Sequence, residues 1–199
     1  MKILVIGASG LIGRNIVAAL QPRHEILEAS RSRSPITVDL AAPASIRAMF
    51  DRAGRVDAIV CAAGAAKFGP WEKLGDDDYE FCLRNKLMGQ VNVVRFGAAS
   101  VRDGGAITLT SGTLAQQPMP GGAAVSLVNA GIEGFARAAA IELGRGIRVN
   151  VVSPGWIAET KKAFGMDPGG AISAAEVAEV YVRSIEGGDT GRVIVADRG

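Results

Sequence analysis

The chain has 199 residues, 48% of them hydrophobic and 21% charged, with a net charge of +2. That is enough for one domain with a real core and too few for two comfortable ones. The near-neutral balance, with no basic block to match a phosphate backbone, argues against nucleic-acid and membrane-surface partners. Cys61 and Cys82 form no CxxC pair and read as reduced thiols. The acids do not cluster with His or Cys at ligand spacing, so no metal is expected. The first apolar run, Ile3 to Ile6, ends in glycine and is too short for a signal peptide. No unbroken run of roughly 18 apolar residues follows, and the expectation is a cytoplasmic protein.

In chain order, short β-branched runs alternate with helical stretches. Ile3 to Ile6 predicts a strand buried on both faces. Leu11 to Leu20 predicts a helix stopped by Pro22. Strands follow at Glu25 to Ala29 and Ile36 to Val38, then a helix opened by Pro43 and a strand at Val56 to Cys61. One long helix is expected from Asp76 to about Val101, acidic at its start. A strand at Ala106 to Thr110, a second long helix at about Ala124 to Leu143 and a strand at Ile147 to Val152 come next. Ser173 and Glu176 form a capping box for a last helix, and Arg192 to Ala196 is the final strand. The alternation predicts a single α/β domain: a doubly wound, Rossmann-type parallel sheet of about seven strands with helices on both faces.

Gly7-Ala8-Ser9-Gly10-Leu11-Ile12-Gly13 lies between the first strand and the first helix. A glycine pattern in that setting lets a pyrophosphate approach backbone N–H groups at a helix N-terminus, where a Cβ would block it. The second strand ends in Ser30 and Arg31 rather than in an acid. A guanidinium suits a 2′-phosphate, so NADP is expected over NAD. Glu28, earlier in that strand, would favour NAD if the register slipped.

These residues resemble the short-chain dehydrogenase/reductase family, and the resemblance runs over essentially the whole chain. The glycine spacing is nearer the family's extended or atypical branch. Asp39-Leu40 resembles the family's contact to the adenine ring, and Cys61-Ala62-Ala63-Gly64 falls where the family has Asn-Asn-Ala-Gly. Asn85 matches the helical asparagine of the family's proton relay, and Ser111 its catalytic serine. Ser153-Pro154-Gly155-Trp156-Ile157 resembles the turn that flanks the nicotinamide; Thr190-Gly191 with Asp197 resembles the C-terminal signature.

The family's central pair is a tyrosine and, four residues on, a lysine that lowers its pKa. Here those positions hold Val125 and Asn129. Valine has no ionisable proton, and Asn129 is left to hydrogen-bond a ribose hydroxyl. Tyr79 and Tyr181 read as packing or surface residues and His24 as structural. Lys86, beside Asn85, is set aside because helix neighbours point about 100° apart. Residues 158–172 are short for the family's lid and imply a small or open substrate site.

The resemblance implies an NADP-dependent oxidoreductase acting on a carbonyl or activated double bond of a small molecule, with a non-standard proton donor. The alternative is a non-catalytic NAD(P)(H)-binding sensor of the same fold. A homodimer or homotetramer is expected, with Ala136, Ala138, Ala139 and Ala140 allowing close helix approach.

Overall fold

The computed structural model describes residues 1–198. Seven strands form one parallel sheet: β1 (Lys2–Ile6), β2 (Glu25–Ser30), β3 (Ile36–Thr37), β4 (Val56–Cys61), β5 (Val101–Thr110), β6 (Arg148–Pro154) and β7 (Val193–Ala196). Their order is β3-β2-β1-β4-β5-β6-β7. The sequence reading therefore holds for strand number and direction, with boundaries shifted by a few residues.

Side chains of β1 show why the sheet needs cover on both faces. Successive residues of a strand point to opposite sides. Leu4 and Ile6 join one core with Ile46, Met49, Phe50, Val93 and Ile132. Ile3 and Val5 join the other with Ile16, Leu20, Val177, Tyr181 and Ile185. Thus α2 (Pro43–Ala53), α4 (Met88–Gly97) and α5 (Ala123–Glu142) cover one face, and α1 (Leu11–Leu20) and α7 (Ala174–Glu186) cover the other. The capping box of α7 is present: Ser173 N–H donates to Glu176 Oε2 at 2.9 Å, and Glu176 N–H donates to Ser173 Oγ at 3.2 Å.

Two elements differ from expectation. The helix foreseen from Asp76 to Val101 is interrupted. It runs as α3 (Asp76–Cys82), a π-turn over Leu83–Leu87, and then α4. A π-turn bonds i→i+5 instead of i→i+4 and so accommodates one extra residue within the helix. The 158–172 segment also contains a short helix, α6 (Ala158–Ala163), that the sequence reading does not place.

By length and apolar composition α5 could cross a bilayer. It packs instead on β5 and β6 and buries Glu133. Strand order reverses at β1 and β4, and ligands of such sheets bind beyond the strand ends at that point.

Candidate functional site

Backbone close approach shapes the turn after β1. Gly7 has φ +89, and a Cβ on it would lie 2.6 Å from the Ala62 carbonyl oxygen. A Cβ on Gly13 would lie 2.0 Å from the Gly7 carbonyl oxygen, so α1 rests directly on the turn. Gly10 N–H donates to Gly7 O at 2.9 Å. The first turn of α1, with Leu11, Ile12 and Gly13, carries no acidic residue, which leaves its N–H groups and the helix dipole available to an anion.

That helix end opens on a cavity of about 320 Å³. Gly7, Ser9 and Gly10 line it from the turn, and Ser30 and Arg31 from the end of β2. Asp39 and Leu40 line it after β3; Ala62, Ala63 and Gly64 after β4; and Asn85 from the π-turn. The β2 register is not slipped: Glu28 pairs with Val5, and the cavity wall begins at Ser30. Ser30 Oγ accepts from Arg33 N–H at 3.1 Å, which folds the loop back and leaves Arg31 exposed. Asp39 is tied locally, with Oδ1 accepting from Ala41 N–H at 2.9 Å.

A second cavity, of about 180 Å³, lies beyond the ends of β5 and β6. Ser111, Lys86, Val125, Asn129, Pro154 and Gly155 line it, with Phe68 and Trp156 as its aromatic walls. Ile157 lies just behind, buried and bridged to Ile172. The end of β5 is clamped on several sides. Gln90 donates to Thr110 O at 2.7 Å and accepts from Thr110 N–H at 2.8 Å. Thr110 Oγ1 donates to Cys61 O and meets Tyr181 Oη, both at 2.6 Å. Burial raises the Tyr181 phenol, which is a structural group in the α7 layer, as foreseen. Tyr79 packs in a small cluster with Cys82 and Val128. His24 sits against Glu186, away from both cavities.

Ser111 does not address the cavity as a free hydroxyl. Its Oγ donates to Glu133 Oε1 at 2.8 Å, and Gln116 Nε2 donates to the other carboxylate oxygen. Glu133 is buried. With its proton committed to a carboxylate, Ser111 presents acceptor lone pairs to the cavity. Sequence reasoning missed Glu133, although it lies four residues beyond Asn129 on the same helix face. Asn129 Nδ2 donates to Gly112 O at 3.4 Å, while its Oδ1 is buried without a partner.

Asn85 and Lys86 divide between the two cavities. Asn85 Oδ1 accepts from Ala65 N–H at 2.7 Å and fixes the loop after β4 on the first cavity. Lys86 lines the second. The two neighbours do diverge, and each meets a cavity because one adjoins either side of the π-turn. Gly64, at φ +123, lets the loop lie against the Lys86 stem, where a Cβ would be 3.1 Å from Lys86 Cα. Burial lowers the Lys86 ammonium from the usual lysine range to about 8. The neighbouring Cys61 thiol is pushed up by its own burial to about 12 and stays protonated.

Comparisons with known proteins agree with this architecture. Residues 11–196 match the family described as enoyl-(acyl carrier protein) reductase. The oxidoreductase UcpA of Escherichia coli K12 is 32% identical over 130 residues, covering 61% of this chain and 49% of UcpA. Hydroxynaphthalene reductase arp2 of Aspergillus fumigatus is 29% identical over 158 residues, covering 76% of this chain and 58% of that protein. The chain thus spans about half to three-fifths of the length of these curated relatives. Among solved structures, the protein lin1944 of Listeria innocua superposes with TM-score 0.94 at 38% identity, covering 98% of both chains. A small-chain dehydrogenase in complex with NADPH superposes with TM-score 0.88 at 27% identity, covering 100% of this chain and 97% of that one.

Proposed function

The chain belongs to the short-chain dehydrogenase/reductase family, and from that premise we propose that it is an NADP(H)-dependent oxidoreductase acting on a carbonyl or activated double bond of a small molecule. The observation that carries this reading is the meeting of two cavities at one π-turn, one beside a glycine-built helix end and the other beside Ser111.

The residues present fit a dinucleotide. Gly7 and Gly13 leave the backbone bare where a Cβ would collide, and Asn129 holds a buried acceptor without a partner. Gly7, Ser9 and Gly10, with the N–H groups of Leu11, Ile12 and Gly13, would hold the pyrophosphate. Ser30 and Arg31 would hold the 2′-phosphate; Asp39 and Leu40 would flank the adenine, with Ala62, Ala63 and Gly64 beneath. Asn129 would take a ribose hydroxyl, and Pro154, Gly155 and Ile157 would bound the nicotinamide. When bound, that group supplies or accepts the hydride. Asn85 keeps the first cavity's wall in place, and Ser111 offers an acceptor to the substrate side. The NADPH complex of a related dehydrogenase supports NADP as the cofactor.

Val125 and Asn129 favour a second reading, a non-catalytic NADP(H)-binding protein, because they remove the family's acid and its tuning lysine. On either reading the proposed location is the cytoplasm. Assembly into a homodimer or homotetramer would use the outer face of α5, where Leu127 and Ile141 are exposed; Ala136 and Ala139 are spent on the sheet.

The deciding experiment titrates the protein with NADPH and NADH, then follows nicotinamide absorbance by stopped flow over a panel of carbonyl compounds and quinones. Tight NADPH binding with oxidation on an acceptor supports the oxidoreductase. Tight binding without oxidation supports the second reading, and binding of neither cofactor overturns both.

A further inference from the structure

We propose that Lys86 is the catalytic acid of this site, hydrogen-bonding the oxygen of a substrate carbonyl and giving it the proton that completes the reduction. The inference rests on the oxidoreductase reading and names the donor that Val125 cannot be.

Elimination among the side chains lining the second cavity supports it. Val125 has no exchangeable proton, and Ser111 directs its own toward Glu133. Thr113 carries a hydroxyl, and Asn129 and Trp156 carry N–H groups, none of which ionises near neutral pH. Lys86 is the ionisable side chain among the described residues that line this cavity. No hydrogen bond or ion pair from a described residue holds its ammonium; the charged-state influences on it are burial and the Cys61 thiol. The π-turn supplies an independent geometric reason, because it brings Lys86 to the cleft beside Asn85. A lysine shifted to about 8 is protonated at neutral pH yet close enough to it to release the proton.

The step balances. The carbonyl carbon accepts a hydride, two electrons and a proton, from a reduced nicotinamide. The C=O π pair moves to oxygen, and the oxygen forms an O–H bond as one Nζ–H bond breaks. Lys86 is left as a neutral amine and recovers its proton from water. The cavity walls, Phe68, Val125, Leu114 and Trp156, make the fitting substrate a carbonyl on an apolar or aromatic frame.

Reduction should therefore fall as pH rises through about 8, where the ammonium form is lost. Three other titratable groups lie around Lys86 or its cavity. Cys61 on β4 stays protonated to about 12. Glu133 on α5 faces Ser111 and Gln116, and Asp197 after β7 lies behind Gly155.

Three substitutions and one chemical titration test the assignment. Lys86→Met keeps the alkyl stem and removes the proton; kcat for carbonyl reduction should fall about 10²- to 10⁴-fold, with NADPH affinity little changed. Lys86→Arg keeps the charge on a group that does not deprotonate, and should be as slow as the methionine variant. Lys86→Ala should regain turnover in proportion to added ethylammonium. Trace acetylation of the free and NADP⁺-loaded protein, read lysine by lysine against pH, is independent of turnover. It should give Lys86 a midpoint near 8, against about 10.4 for an exposed lysine. A methionine or arginine variant as fast as the parent, or a midpoint with the exposed lysines, overturns the assignment alone. A parent that binds NADPH but reduces no carbonyl overturns the oxidoreductase reading, and the assignment falls with it, even with a midpoint near 8.

Discussion

The β1–α1–β2 region and the β5–α5–β6 region face each other across the cleft, and their sites are specified in different ways. The first depends on backbone conformation. Gly7 and Gly13 are needed because two pieces of main chain nearly touch, and Arg31 follows from where β2 stops. The second depends on which side chains distant segments bring together: Ser111 from just after β5, Glu133 and Asn129 from α5, Lys86 from a π-turn. A site built on backbone tolerates almost no change at a few glycines. A site built on side chains can exchange its chemistry while the frame stays the same, as Val125 and Asn129 do on the proposed reading.

The sharpest way to break that contrast is Gly13→Val. The added atoms meet Gly7 O, which a Cβ already approaches to 2.0 Å. NADPH affinity should drop more than about 100-fold, and urea unfolding should show about 2–3 kcal/mol lost from overpacking. A normal NADPH titration would show that the turn can yield.

Arg31→Asp comes next. It replaces a charge-assisted contact, worth about 1.5–3 kcal/mol, with repulsion of the 2′-phosphate. Calorimetry should show NADPH weakened about 10- to 150-fold and NADH nearly unchanged. Equal losses for both cofactors would place Arg31 outside the 2′-phosphate site.

Ser111→Ala probes the other region. It strips one donor from the buried Glu133 carboxylate, leaving Gln116 as its side-chain partner. Unfolding should register about 1–3 kcal/mol of destabilisation, even before turnover is assayed. No change in the denaturation midpoint would mean that water replaces the hydroxyl.

The smallest effect lies away from both regions, at the start of α7. Ser173→Ala should cost about 1 kcal/mol through loss of the cap. Glu176 is held down to about 2, from the usual 4.5, first by its hydrogen bond from Ser173 and then by Arg198. A carboxyl lowered in the folded state stabilises fully above its unfolded value. That stabilisation is lost as pH falls from about 4.5 to about 2. Acid titrations of the parent and of Glu176→Gln should diverge above that window and converge below it.

The sheet, its strand number and the glycine turn were legible in the sequence because each rests on local pattern: β-branched runs, a helix start, glycine spacing. The capping box of α7 was legible for the same reason. Three features were not. The π-turn at Leu83–Leu87 leaves no periodicity signal, since one extra residue in a long helix resembles noise in the pattern. The Ser111–Glu133 bond joins the residue after β5 to α5 across 22 positions, and nothing local to either residue announces it. Lys86 was visible but set aside, because divergence from Asn85 argues against a shared cavity, and the sequence does not show that a second cavity lies on its side of the turn. The usable signal was compositional: a chain without the expected tyrosine and lysine on α5 carries a lysine next to Asn85.

The π-turn also acts as a phase joint. It lets α3 and α4 share a course and keep their faces in register although one extra residue lies between them. Removing any one residue from Leu83–Leu87 would return the segment to α-helical winding and re-aim the side chains within it, while α3 and α4 keep their relation. Asn85 and Lys86 would then no longer both face the cleft. The length of the chain between Cys82 and Met88, to the single residue, is therefore what lets one short segment serve two chambers.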